Sequence, residues 1–100
     1  MQTRFGIIGL GVQGALYAAL LQGTPIQGNA ALPRPALCRL TAVSTRNEAT
    51  LAPYRAAGLA CYTDWRSLID AHACDAVLIT VPHRLHAEIA LYAMEHGLDV

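Results

Sequence analysis

The stretch FGIIGLGVQGALYAALL, residues 5–21, is strongly apolar yet carries four glycines, Gly6, Gly9, Gly11 and Gly14. Those glycines exclude the two ordinary uses of an apolar run near a chain start. A secretion signal wants a charged residue and then a helical apolar core. Arg4 supplies the charge, but the glycines weaken the helix and Gln13 interrupts it. A membrane span wants about 20 apolar residues, and this run is too broken. What remains is a buried strand, a turn and a helix. Phe5, Ile7 and Ile8 read as the strand, residues 4–9. From Val12 the period changes, and Val12, Ala15, Leu16, Ala19 and Leu20 form a helical stripe that stops near Gly23.

The same alternation continues. Residues 22–39 hold three prolines and two further glycines and read as a long loop. LTAV (residues 40–43) is a second strand, followed by the turn Ser44, Thr45, Arg46, Asn47. A helix is expected over residues 48–57, with Gly58 as a left-handed cap. A short third strand (59–63) precedes a helix over 64–71, with Thr63 as N-cap and Trp65, Leu68 and Ile69 inward. DAVLITVP (75–82) is the clearest strand. The helix after it, 83–96, packs Leu85, Ile89, Tyr92 and Ala93 and stops at Gly97, and LDV opens a fifth strand. Strand–helix alternation with apolar strands predicts an α/β fold, a Rossmann-type doubly wound parallel sheet truncated at the start of its fifth strand. Residues 1–100 then make one partial domain of a longer polypeptide.

Composition narrows the partners. The chain is 54% hydrophobic and 14% charged, with no net charge, which excludes a disordered tail. All seven basic residues are scattered arginines, so no stripe exists for nucleic acid or an anionic membrane. Lysine is absent, which removes any amine general acid from these residues. Cys38, Cys61 and Cys74 form no C-x-x-C pair and read as structural thiols in a reducing cytoplasm.

Gly9-Leu10-Gly11-Val12-Gln13-Gly14 matches G-x-G-x-x-G directly after a strand and at the opening of a helix, the context that gives this motif its meaning. Gly9 makes the turn, Gly11 lets backbone approach a pyrophosphate, and Gly14 lets the helix press on the strand. The N–H groups of Val12 and Gln13, at the positive end of the helix, would hold the phosphates. An acidic residue normally ends the second strand of such a domain and bonds the ribose hydroxyls. Here Ser44, Thr45 and Arg46 stand instead, and a guanidinium suits a 2′-phosphate. The expected cofactor is NADP or NAD, with NADP favoured. At the carboxyl end of the fourth strand, TVPHRLHAEIA offers Thr80, Pro82, His83 and His86 to the same crevice. As a metal pair, His83 and His86 lack a third ligand, and no metal site is assigned.

The order GIIGLGVQG, AVSTR, YTDWRSLID and DAVLITVPHRLHAEIALYAMEHGLDV resembles the glucose–fructose oxidoreductase/inositol dehydrogenase (Gfo/Idh/MocA) family over nearly the whole chain except residues 22–38. The resemblance implies a nicotinamide-binding N-terminal domain followed by an α+β substrate domain. It implies an NAD(P)-dependent dehydrogenase that transfers a hydride between nicotinamide and a hydroxyl or carbonyl of a sugar, inositol or similar small molecule. Gly9, Gly11 and Gly14, with Val12 and Gln13, match the phosphate loop, and Thr45 and Arg46 the ribose turn. Thr80, Val81 and Pro82 match the segment beneath the cofactor, and His86 the family's histidine on the nicotinamide side. His83 replaces the usual Asn. The family's Glu-Lys-Pro segment, whose Lys assists proton transfer, would fall after Val100, so no catalytic residue is assigned and residues 1–100 alone should be inactive. Substrate binding would need the second domain, and the longer parent could be a homo-oligomer. The alternative is a non-catalytic Rossmann module that senses nicotinamide dinucleotide.

Overall fold

Ile7 and Ile8 are adjacent in sequence and point into two different cores, because successive strand residues face opposite sides of a sheet. In the computed structural model, which describes residues 2–25, 33 and 35–100, the sheet has helices on both faces. The elements are β1 (Thr3–Ile8), α1 (Val12–Gln22), β2 (Cys38–Ser44), a 3-10 turn (Glu48–Leu51) leading into α2 (Ala52–Ala56), β3 (Ala60–Tyr62), α3 (Trp65–Asp70), β4 (Ala76–Ile79) and α4 (His83–Glu95). The strand order is β3-β2-β1-β4, and every pairing is parallel. Ile7 packs with Ala18 and Leu21 of α1, and with Val43 and Leu51. On the opposite face Ile8 packs with Leu68 and Ile69 of α3, Val77, and Ile89 and Ala93 of α4. This is the expected Rossmann-type doubly wound sheet.

Several expectations need correction. The buried residues of α1 are Gly14, Ala18 and Leu21 rather than the stripe through Val12 and Ala15, and Val12 is 79% exposed. Gly14 decides this phase, since it must lie against the turn that precedes the helix. The helix expected over residues 48–57 is broken into a 3-10 turn and a short α-helix. Pro53 has no N–H to donate to the carbonyl four residues earlier, so it can only sit in the first turn of α2. The cap of α3 is Asp64, not Thr63. Its backbone is extended and its carboxylate accepts from Arg66 N–H at 3.3 Å. The expected fifth strand is present as a single parallel bridge, Ala76 to Asp99. The loop expected over residues 22–39 lies partly outside the described residues, and its last two residues, Cys38 and Arg39, belong to β2.

The amino end of the sheet is stapled. Arg4 Nη2 and Nε donate to the Asp75 carboxylate at 3.0 and 3.3 Å, and Asp75 also accepts from Arg4 N–H at 2.9 Å. The β1–β2 register shifts between Phe5 and Gly6, leaving Thr41 as an extra residue. Its hydroxyl donates to Ala73 O at 2.7 Å. Gly6 sits where a Cβ would come within 2.8 Å of Cys74 Sγ, so the β1 backbone and the buried thiol pack closely. Burial pushes the Cys74 and Cys61 thiols up, which suits structural rather than reactive cysteines.

Hydrogen bonds from the Arg4 side chain, then from its backbone, hold the Asp75 carboxyl below its ordinary value. A depressed carboxyl stabilises the fold above the unfolded aspartate pKa, and that stability disappears as the pH falls through the folded value. Thermal midpoints followed from about pH 5 down to pH 2 should therefore fall less steeply for Asp75→Asn than for the parent. Equal slopes would mean that this staple contributes nothing in acid.

Candidate functional site

The turn between β1 and α1 is built from three glycines in three different physical situations. Gly9 has φ +98°, and a Cβ there would also stand 2.9 Å from Val81 and 3.0 Å from the Thr80 carbonyl. A Cβ on Gly14 would stand 2.0 Å from Gly9 O and 2.8 Å from Thr80 Oγ1. Gly14 is thus where α1 is pressed onto the turn. Gly11 has an extended backbone, and a Cβ there would meet nothing within 4 Å. Neither the backbone conformation nor packing demands glycine at that position, which faces open space.

Neighbouring strands lock this turn from both sides. Gly9 N–H donates to Ser44 O at 2.9 Å, which ties it to the end of β2. Thr80 N–H donates to Ile8 O at 2.9 Å, and its hydroxyl donates to Gly9 O at 2.7 Å, which ties it to the end of β4. Thr80 is therefore a strut for the glycine turn. The first bond of the α1 ladder runs from Ala15 N–H to Gly11 O at 2.9 Å. The N–H groups of Val12, Gln13 and Gly14 precede it, and no side chain caps the helix.

Over the carboxyl ends of the strands lies a cleft of about 620 Å³. Of the residues anticipated from sequence, Gly9, Gly11, Ser44, Thr45, Arg46, Thr80, Val81 and Pro82 line it. Val12, Gln13, Gly14, His83 and His86 do not. Val12 and Gln13 form the first turn of α1 and Gly14 lies beneath the loop. His83 is exposed on the first turn of α4. His86 Nε2 donates to Val81 O at 2.7 Å, so its ring is held against the strand exit, with the ring of His83 5.6 Å away. Pro82 is the N-cap residue of α4 and turns the chain out of β4.

Charge is distributed unevenly around the cleft. Arg46 is exposed at the end of β2 and, among the described residues, has no carboxylate within ion-pair distance. Arg66, by contrast, is paired with Glu88 at 3.0 Å. Asp64 is the acidic residue nearest the strand ends, but its oxygens cap α3, accepting from Arg66 N–H and from the Ser67 hydroxyl at 3.5 Å. Sequence reasoning did not assign Asp64, Trp65, Arg66, Leu85 or Glu88 to the cleft. The one signal that could have found the first three was their place just after a strand, where open α/β sheets bind ligands.

Among the described residues, no helix is long and apolar enough to cross a membrane. A family model described as an oxidoreductase family with an NAD-binding Rossmann fold, Gfo/Idh/MocA, matches residues 3–100. No curated protein matches the chain. Among solved structures, myo-inositol 2-dehydrogenase from Lactobacillus plantarum is 30% identical, with a TM-score of 0.75 over 98% of this chain and 26% of that one. Biliverdin reductase from Synechocystis, in complex with biliverdin and NADP+, is 26% identical, with a TM-score of 0.74 over 96% of this chain and 27% of that one. Scyllo-inositol dehydrogenase from Lactobacillus casei, with bound NAD(H) and scyllo-inositol, is 24% identical with a TM-score of 0.78, a likeness of fold alone. It covers 98% of this chain and 26% of that one. The chain thus spans about a quarter of the length of the structures it matches.

The three glycines should separate in unfolding experiments. Gly14→Ala should lower stability by about 3 kcal/mol, because backbone rather than a flexible side chain must give way. Gly11→Ala should stay within about 0.5 kcal/mol of the parent. Urea titrations followed by circular dichroism check both, and equal losses would contradict the distinction drawn between packing and open space.

Proposed function

The chain belongs to the Gfo/Idh/MocA oxidoreductase family, of which it carries the NAD-binding Rossmann fold, and on that premise we propose that residues 1–100 form the cofactor half of a nicotinamide-dependent dehydrogenase whose substrate half lies outside them. The observation that carries this is the open space at Gly11. A turn locked by Gly9, Gly14 and Thr80 brings Gly11 to the wall of the cleft beside the uncapped first turn of α1, and an approaching ligand gives Gly11 a reason to lack a side chain. A diphosphate, with oxygens that need several N–H donors, fits that cradle.

When bound, the nicotinamide supplies the hydride acceptor or donor. The protein's own contribution is to bind and orient. The N–H groups of Val12 and Gln13 hold the pyrophosphate, and Ser44, Thr45 and Arg46 meet the adenosine ribose. Thr80, Val81 and Pro82 form the floor, with His83 and His86 on the helix that leaves it. Lysine is absent from these residues, so an amine that moves the proton accompanying hydride transfer would come from elsewhere in the parent. The substrate class is a small polyol, sugar or related hydroxyl–carbonyl pair, in keeping with the myo-inositol 2-dehydrogenase to which the chain is similar. Cys38, Cys61 and Cys74 are free thiols, which supports a reducing, cytoplasmic setting.

NADP is the better fit of the two dinucleotides. Among the described residues Arg46 has no carboxylate partner, no carboxylate ends β2 to repel a 2′-phosphate, and Asp64 is engaged in capping α3. Calorimetric titration should give tighter binding of NADP than of NAD, and Arg46→Ala should remove a preference of about tenfold or more, the usual strength of a hydrogen bond to a charged group. Gly11→Val should weaken both cofactors sharply while the fold survives. Tighter NAD would overturn the NADP preference, and an unaffected Gly11→Val would overturn the cradle.

A further inference from the structure

At the β3 end of the cleft, three flat groups, Tyr92, Trp65 and Arg66, lie in contact one after another. The Tyr92 ring meets the Trp65 ring edge-on, with centroids 5.3 Å apart and planes at 86°. The Arg66 guanidinium lies 4.3 Å over the Trp65 ring. Arg66 Nη2 donates to Glu88 Oε1 at 3.0 Å, and Tyr92 O–H donates to Asp70 Oδ1 at 2.6 Å. Helix α3 provides Trp65 and Arg66, and α4 provides Tyr92 and Glu88. The result is a plane fixed from below by an aromatic ring and from the side by a carboxylate, with Arg66 and Glu88 about half exposed. Exposed ion pairs and cation–π contacts contribute little to stability, so holding α3 to α4 does not account for the arrangement. Leu68 and Ile69 already bury the inner face of α3.

The sheet order tells what would meet that plane. Outward from β1, the glycine turn comes first, then the Ser44–Arg46 turn at the end of β2, then the exit of β3 into Asp64, Trp65 and Arg66. If the pyrophosphate lies on the first and the ribose on the second, the base attached to that ribose reaches the third. A purine face stacks well on a guanidinium, which is planar and weakly hydrated, whereas an ammonium offers only a point charge. We infer that Arg66 is the surface on which the adenine ring of the dinucleotide stacks, and that Glu88 is the residue that positions it. This rests on the cofactor reading above.

The test titrates the chain with NADP, ADP and inorganic pyrophosphate, the last having phosphates but no base. Arg66→Ala should weaken NADP and ADP by about tenfold, in line with alanine substitutions at base-stacking sites, and leave pyrophosphate unchanged. Arg66→Lys should fall nearly as far, since the charge remains and the plane is lost. Glu88→Gln should lose about threefold, roughly half of the stacking effect on a logarithmic scale. ADP should quench the emission of Trp65, the single tryptophan of the chain, and pyrophosphate should not. Parent affinity in Arg66→Lys, or a loss shared by pyrophosphate, would make Arg66 a point charge for phosphate and overturn the stacking assignment. Failure of the parent to bind any dinucleotide would overturn the cofactor reading itself, and this inference with it. Dinucleotide binding by the parent with Arg66→Ala unaffected would remove the stacking assignment alone.

Discussion

The contact between α1 and the turn before it governs the geometry of the whole cleft. At Gly14 the helix comes so close to Gly9 that a single added carbon would overlap the Gly9 carbonyl oxygen. That proximity fixes how α1 leaves the turn. It also sets which side of α1 is buried, since Ala18 and Leu21 follow Gly14 at helical spacing. Glycines lose more conformational freedom on folding than other residues, and at Gly11 the backbone surface is left bare.

Thr80 extends this constraint to the far side of the sheet. Its hydroxyl and its N–H both bond the exit of β1, so the ends of β4 and β1 move as one piece. The Gly9 N–H bond to Ser44 O adds the end of β2. The carboxyl ends of three strands are thus joined by backbone bonds around the glycine turn, and residues from all three line the cleft. The opposite end of the sheet is held by different means, the Arg4–Asp75 pair and the Thr41 hydroxyl.

The candidate site was only partly legible before the fold was known, and the division has a physical basis. The glycine turn could be read because Gly9 and Gly14 answer local demands of backbone conformation and contact, and such demands leave a mark at a fixed spacing. Strand β4 and helix α4 could be read from continuous and periodic apolar residues. The phase of α1 could not, because apolar residues occur all round it and periodicity then has no preferred face. The break in the 48–57 helix was written in Pro53, whose missing N–H outweighs a favourable apolar pattern. Asp64 took the cap from Thr63 because the extended residue next to the helix is the one whose side chain reaches its free N–H groups.

Sequence alone determined the alternation of strands and helices, the place of the phosphate-type turn and the absence of a carboxylate after β2, because these depend on residues near one another in the chain. Tertiary structure alone decided that Thr80 braces Gly9, 71 residues away, and that Arg66 and Glu88, 22 residues apart, meet at one wall of the cleft. Such contacts depend on the order in which strands assemble and on how closely helices can approach, and no local pattern of residue types records either.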